Sequence, residues 1–255
     1  MLLADKVAVV IPCLNEGATI ARLVLEIRKF LPKVIVVDDG SADSTGTLAA
    51  SSGAEVLRHD QPCGKGTALN LGLKRASEQG FPWALVMDGD GQHAPSDIPL
   101  FLEAITNAPL VLGNRMTNPG AMPWLRKTVN RWMSQRLSNL ANQILPDTQC
   151  GFRLIELECW RQLNLQTAHF EIESEILLAF IAAGHAVTFV PIQVIYKNER
   201  SKIQPVRDTL RWFRWLVKAR RQFQISRRRS EASVLKSSLL PASPALQSKT
   251  RLSPP

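Results

Sequence analysis

Short apolar runs alternate with amphipathic helical segments through the first half of this chain, and each run ends in polar residues. Residues 7–11 read as a strand, 18–30 as an amphipathic helix and 34–37 as a second strand. A helix over about 43–51, a short strand over 55–57, a helix over 67–79 and a strand over 83–87 follow. Residues 97–105 have helical spacing, and 110–113 are again strand-like. Strands separated by helices pair in parallel through crossovers, and continuously apolar strands are buried on both faces. The pattern predicts an α/β fold built on a mostly parallel central sheet.

Past Pro123, Val129, Trp132, Met133, Leu137, Leu140 and Ile144 form one stripe of a long helix. Residues 173–183 read as another helix and 186–196 as strand-like segments broken at Pro191. At 255 residues and 45% hydrophobic content, the chain suits one sizeable domain with an appendage. The net charge of +9 hides an asymmetry. Residues 1–196 carry 16 Lys and Arg against 19 Asp and Glu, a net of −3, whereas 197–255 carry 15 against 3, a net of +12. So uneven a balance asks for an anionic partner. The expected division is a domain over 1–204, a basic amphipathic helix over 205–225 and a disordered Ser- and Pro-rich basic tail over 226–255. The four cysteines show no CxxC spacing, which suits reduced thiols. With no signal-like leader and no apolar run of about 18 residues, a cytoplasmic protein without a spanning helix is expected.

Chemistry concentrates where the strands end. The run 85–87 stops at Asp88-Gly89-Asp90-Gly91-Gln92-His93. Two carboxylates spaced i, i+2 after a strand sit at the carboxyl edge of a sheet, where open α/β folds bind ligands. Paired hard oxygens suit Mg²⁺ or Mn²⁺, ions that usually arrive with substrate phosphates. A polar turn would explain these residues equally well if they stood alone. Ile11-Pro12-Cys13-Leu14-Asn15-Glu16 and Val37-Asp38-Asp39-Gly40-Ser41 bring polar groups to the same edge. Helix capping accounts for Asn15 or Ser41 singly but not for three clusters converging. Gly64-Lys65-Gly66 is not a P-loop: Ser or Thr is missing after Lys65, and His59 stands where the first glycine belongs. The N–H groups of the helix it opens suit either a phosphate or a plain turn.

These clusters, with Gly64-Lys65-Gly66-Thr67-Ala68-Leu69-Asn70, Gly72 and Cys150-Gly151-Phe152-Arg153, occur in the order found in the family 2 glycosyltransferases of the GT-A fold. The chain resembles that family over roughly residues 6–223, and within it the polyprenyl-phosphate sugar transferases of the dolichol-phosphate mannose synthase type. The resemblance implies a single GT-A domain in which Pro12, Asn15, Glu16, Asp38, Asp39 and Lys65 bind the nucleotide-sugar. It implies that Asp88, Asp90 and Gln92 hold Mg²⁺ or Mn²⁺, with Asp88, Asp90 and Glu173 as the catalytic set. Glu173 is chosen from Phe170-Glu171-Ile172-Glu173-Ser174-Glu175 as the acid lining the sugar pocket, although the helix dipole alone would favour acids in a first turn. Arg115 and Arg126 fall where the family places arginines near the acceptor phosphate. Arg200, Ser201 and Lys202 resemble its Arg-Ser-Lys loop over phosphates, with Arg200 standing where the family often has glycine. His93 is expected to support the metal loop by a hydrogen bond rather than to act as a base.

After Pro205, Arg207, Arg211, Arg214, Lys218 and Arg221 fall on one helical face. Val206, Leu210, Phe213, Leu216 and Val217 fall on another, flanked by Trp212 and Phe223. Such a helix suits an anionic membrane interface, with residues 205–229 as the contact and the inner face of the membrane as the location. Docking of its apolar face on the domain is the competing expectation. The expected reaction is metal-dependent, inverting transfer of a sugar from a UDP- or GDP-sugar to a lipid phosphate such as polyprenyl phosphate. A related transferase acting on a glycolipid, lipid-linked saccharide or soluble acceptor is the alternative. A non-catalytic nucleotide-sugar or nucleic-acid binding protein is a third possibility, though no nucleic acid partner is expected.

Overall fold

The structure is a computed structural model that describes residues 3–120, 122–195, 209–221 and 223–224. Seven strands form one sheet: β1 (Val7–Cys13), β2 (Val34–Asp38), β3 (Glu55–Arg58), β4 (Trp83–Val86), β5 (Leu110–Asn114), β6 (Arg153–Glu156) and β7 (Val187–Pro191). Their order is β3-β2-β1-β4-β6-β5-β7. The β1–β2, β2–β3, β1–β4 and β5–β7 pairs are parallel, and β6 runs antiparallel to both β4 and β5.

Alternate residues of the apolar strands serve opposite faces. Ala8, Val10, Ile35 and Val37 join one core, with α3 (Lys65–Glu78), α5 (Trp124–Ala141) and α7 (Ile172–Ala182). Val7, Val9, Ile11, Val34 and Val36 join the other, with α1 (Ile20–Ile27), α2 (Thr45–Ser51) and α4 (Ile98–Glu103). On α1, Ile20, Leu23, Val24 and Ile27 are all buried, the i, i+3, i+4, i+7 stripe of a surface helix. Gly72 lets α3 lie close on the sheet: a Cβ there would stand 2.4 Å from Val10 Cγ1.

Several expectations change. The helix foreseen over 97–105 is a composite, with 3₁₀ turns at Pro95–Asp97 and Ala104–Thr106 around α4, because Pro95 and Pro99 punctuate it. The apolar stripe of α5 stops at Leu140: Asn142 takes a left-handed cap (φ 55°), and Ile144 beyond it is 90% exposed. Strand β6 and the short helix α6 (Leu157–Arg161) were not foreseen.

Residues 209–221 are helical, and they do not stand apart from the body as a separate unit. Trp212, Leu216, Ala219 and Phe223 are buried, with Trp212, Leu216 and Phe223 in the same core as α5 and α7. The Trp212 indole donates to Ser174 Oγ at 2.9 Å and lies 5.6 Å from the Trp132 ring. Leu210, Phe213 and Val217 stay exposed. The apolar face expected as one surface is therefore divided, with Leu216 turned inward and those three outward.

Candidate active site

Strand order reverses direction at β1, whose neighbours are β2 and β4, so the crevice outside the carboxyl ends of β1 and β4 is where this architecture takes a ligand. Both loops that open there are bound into a frame. Asn15, with φ 54°, receives from the Ala42 N–H at 2.8 Å and gives its own N–H to Ser41 Oγ at 2.9 Å. The Glu16 N–H donates to Thr45 Oγ1 at 2.8 Å. Thr19 Oγ1 donates to the Gly89 carbonyl at 2.6 Å and so pins the Asp88–Gln92 loop to the start of α1.

Asp88 is the electrostatic centre of that loop. Burial would push its carboxyl up, but the Lys65 ammonium, then His93 and Arg115, outweigh burial and hold it below the usual carboxylate range. Asp90 moves the other way, raised by burial and then by the like charge of Asp88. His93 is buried and its pKa falls through burial, against the pull of Asp88 and Asp90. The Asp88 N–H donates to its Nδ1 at 3.3 Å, and the ring stacks on Phe152 at 5.1 Å. An imidazole that accepts the loop's own Asp88 N–H at Nδ1 braces the loop from inside. Gln92 gives its N–H to Asp90 Oδ1 at 3.0 Å, and its Oε1 receives Arg126 Nη1 at 3.4 Å.

Lys65 lies between two acids from distant parts of the chain. Its Nζ is 2.6 Å from Asp88 Oδ1 and 2.5 Å from Glu173 Oε1. Glu173 thus faces the Asp88–Gln92 loop through Lys65, whereas Glu175 caps the backbone N–H groups of Gln166 and Thr167 at 3.0 and 2.9 Å. Glu171 is buried, 3.5 Å from Arg211 Nε. The opening of α3 is closed to a phosphate, contrary to one reading of its sequence: the Gly66 and Thr67 N–H groups both point at the Ala168 carbonyl, at 2.8 and 3.3 Å. Gly64, at φ +102°, and Gly66 allow that approach, since a Cβ on either would lie 2.4 Å from a carbonyl oxygen.

The nucleotide-edge carboxylates are turned into the framework. Asp38 is fully buried, pairs with Arg58 and receives the Ser41 N–H at 2.9 Å. Asp39 holds the loop that follows β3, receiving the Cys63 and Gly64 N–H groups at 2.9 and 2.8 Å and contacting His59 Nδ1 at 2.7 Å. Pro12 is half-buried within β1, and Asn15 is exposed at the crevice.

On the opposite side, Arg115 differs from its expected role. It is buried, and its Nε and Nη2 form a bidentate pair with Asp147 at 2.7 and 2.8 Å, so its fork is turned inward. Arg126 is half-buried on the first turn of α5, beside Trp124, which is 77% exposed, and Leu125, also exposed. Arg200, Ser201 and Lys202 lie outside the described residues, as do Arg207 and residues 225–255.

Three positions escaped the sequence reading. Arg153, the largest fully buried side chain, spans the site from below. It donates to the Cys150 carbonyl at 2.7 Å, to the Thr148 carbonyl at 3.0 Å and to the Glu173 carbonyl. Gly151 leaves room for Asp88, because a Cβ there would stand 2.4 Å from Asp88 Oδ2. Asp147 is the counter-charge of Arg115. Cys150-Gly151-Phe152-Arg153 was a visible motif, but nothing in it announced an antiparallel strand.

Comparison with known proteins follows the same outline. The sequence model of glycosyl transferase family 2 matches residues 8–161. A UDP-N-acetylglucosamine–dolichyl-phosphate N-acetylglucosaminyltransferase of Methanococcus voltae is 30% identical over 220 residues, covering 76% of this chain and 88% of that protein. An undecaprenyl-phosphate mannosyltransferase of Micrococcus luteus is 28% identical over 207 residues, covering 76% and 85%. Glucosyl-3-phosphoglycerate synthase of Mycobacterium tuberculosis, solved with Mn²⁺, uridine diphosphate and phosphoglyceric acid, superposes with a TM-score of 0.63 at 21% identity, over 94% of this chain and 80% of that one. With the sheet order, the acidic loop at its switch point and these matches together, the chain belongs to glycosyl transferase family 2 and is a glycosyltransferase of GT-A fold.

Proposed function

We propose that the protein transfers a sugar from a UDP- or GDP-sugar to a lipid phosphate of the polyprenyl-phosphate class, with Mg²⁺ or Mn²⁺ bound by Asp88, Asp90 and Gln92. One run of residues carries the reading: Asp90, Gln92, Arg126, then the exposed Trp124 and Leu125. It sets in sequence an oxygen-rich cation site, a guanidinium for a phosphate and an apolar rim for a hydrocarbon chain. Relatives named for dolichyl and undecaprenyl phosphates support the same acceptor class.

The donor set fits a hard divalent cation. Asp88 and Asp90 bring two carboxylates together, Asp90 raised by burial and then by its neighbour's charge, and Gln92 adds an amide oxygen. When bound, such an ion gathers the negative charge of a departing nucleoside diphosphate. Asn15 and Glu16 line the crevice for the donor. Asp38 and Asp39 shape it by fixing the loops that face the nucleotide. Lys65 serves the diphosphate once it leaves Asp88. Glu173 then faces the sugar hydroxyls. A phosphomonoester with a second pKa of about 6 is already ionised at neutral pH, so no side chain needs to remove a proton. Arg126 orients that phosphate and Arg115 holds the wall through Asp147. Arg200, Ser201 and Lys202 are assigned to phosphate by the family resemblance alone.

The outer side of the 209–221 helix supports attachment to an anionic membrane surface. Leu210, Phe213 and Val217 are exposed there, and Val217 lines a shallow groove with Arg214, Lys218 and Arg221. No helix among the described residues is long and apolar enough to cross a membrane.

Nucleotide release measured across UDP- and GDP-sugars, with and without Mn²⁺ and polyprenyl phosphate, tests the reading. Release that needs both the ion and the lipid, and is lost in Asp90→Ala, is expected. Metal-dependent release indifferent to lipid would point to another acceptor, and no release with any donor would overturn the proposal.

A further inference from the structure

Beside the oxygen-rich loop, a second and chemically different group of ligands converges. Asp39, His59 and Cys63 each offer one ligand atom, and the three atoms lie within 4.8 Å of one another. A carboxylate, an imidazole and a thiol form a borderline-soft set, unlike the all-oxygen set of Asp88, Asp90 and Gln92. From this convergence we infer that Asp39, His59 and Cys63 form a site for a thiophilic divalent cation of the Zn²⁺ class, with a fourth position open to water or ligand.

The scaffold under the three side chains is fixed. Asp39 follows β2 directly and gives its N–H to the Cys13 carbonyl at 2.8 Å. His59 is anchored by its N–H on the Asp38 carbonyl at 2.9 Å, and Cys63 by its N–H on Asp39 Oδ1. Gly40, at φ +73°, lets Gln61 and Pro62 close against the β2 loop, for a Cβ there would meet Gln61 C at 2.7 Å. Three protein ligands with one open position are the arrangement of reactive rather than structural zinc sites. In a tetrahedral site of this kind ligand atoms stand about 3.5 Å apart, so the group needs only small side-chain rotations. Binding exchanges the Asp39–His59 hydrogen bond and the Cys63 Sγ contact to the Gln61 carbonyl for three metal bonds. The Cys63 thiol loses its proton to solvent, and the His59 ring moves its proton from Nδ1 to Nε2, so one proton is released per cation.

Cobalt(II) is the probe, added to the full chain in excess Mg²⁺ so that the oxygen site is served. One equivalent should bind with a thiolate-to-cobalt charge-transfer band, visible bands of four-coordinate intensity and release of about one proton. Cys63→Ser should lose the band and the proton, and His59→Ala should weaken binding by about tenfold or more. Cys159, which lies 3.2 Å from Glu156 Oε2 and 3.9 Å from His185 Nδ1, is the internal control. A band absent from the native protein, surviving in Cys63→Ser or vanishing in Cys159→Ser would overturn the inference. Should Cys63→Ser fail to fold, alkylation of the native protein decides: Zn²⁺ should protect Cys63 selectively, and equal reactivity with and without Zn²⁺ would refute the site.

Discussion

Replacing Lys65 by methionine tests the electrostatics of the site, because it keeps most of the unbranched side chain and removes the ammonium with its charge and hydrogen bonds. In the native protein the ammonium satisfies Asp88 and Glu173 at 2.6 and 2.5 Å. At an effective dielectric of about 20 each contact is worth roughly 6 kcal/mol before desolvation, which costs several kcal/mol per buried ion. The net effect of deleting one partner from such a cluster is about 3–5 kcal/mol, since two carboxylates are left facing each other unbalanced. For a domain of this size that is a fall in Tm of roughly 10 °C. The divalent ion proposed for the same loop supplies the missing charge. Mn²⁺ at about a hundredfold its Kd should return about 2.7 kcal/mol to Lys65→Met, and more than it gives the native protein, whose Asp88 is already occupied by the ammonium. Differential scanning calorimetry in EDTA and across a Mn²⁺ titration, with Lys65→Arg as the conservative control, reads both quantities. A Lys65→Met protein as stable as the native one in EDTA, or one whose gain from Mn²⁺ is no greater, would refute the balance of charges described here.

Gly151→Ala brings a methyl to 2.4 Å from Asp88 Oδ2, so a loss of about 1–3 kcal/mol and a weakened response of Tm to Mn²⁺ are expected. Arg126→Ala should leave unfolding free energy within about 0.5 kcal/mol while raising the KM for polyprenyl phosphate. Asp147→Ala should do the reverse of that in urea titration, costing about 3–5 kcal/mol by stranding the buried Arg115. Glu55 supplies a pH signature. Its carboxyl is held at about 2, where burial would raise it but Lys33, Gln79 and Arg75 lower it further. A depressed native pKa stabilises above the ordinary value of 4.5 and is lost as pH falls from there towards 2. Glu55→Gln should remove about 1 kcal/mol at neutral pH, after allowance for solvent screening, and flatten the acid limb of a Tm-against-pH curve.

Much of the sheet and the acidic loop was legible because buried parallel strands write themselves as unbroken apolar runs with polar ends. Glu173 was chosen from its acidic segment on the family resemblance, and the fold sets it 2.5 Å from the Lys65 ammonium. The strand logic failed at β6, four residues headed by Arg153, where a guanidinium meant solvent by composition and interior by structure. Only the three carbonyls brought together by the fold make that burial tolerable. Arg115 misled for the related reason that its partner, Asp147, lies 32 residues away and carries no local mark. The apolar face of the basic helix was read as one surface because its two stripes lie side by side. Trp212 carries one stripe to Trp132 and Ser174, with Leu216 in the same core, while Leu210, Phe213 and Val217 meet water.

Strand β6 also governs the order in which the molecule can assemble. β5 has β6 and β7 as its sheet neighbours and no direct pairing with β4. The parallel half, β1 to β4, can therefore close as soon as residues up to Val86 are available. The strand synthesised next must wait unpaired until Arg153–Glu156 arrives to be inserted between the halves. Arg153–Glu156, extended at its ends by Phe152 and Leu157, is a short hydrogen-bonded seam that joins units built from early and late chain. Such a molecule should open in two steps under native conditions, with amides of β5 and β7 exchanging as one cooperative unit ahead of those of β1 and β2. Completion of the acidic crevice, whose floor is Gly151 and Arg153, then belongs to the last event of folding.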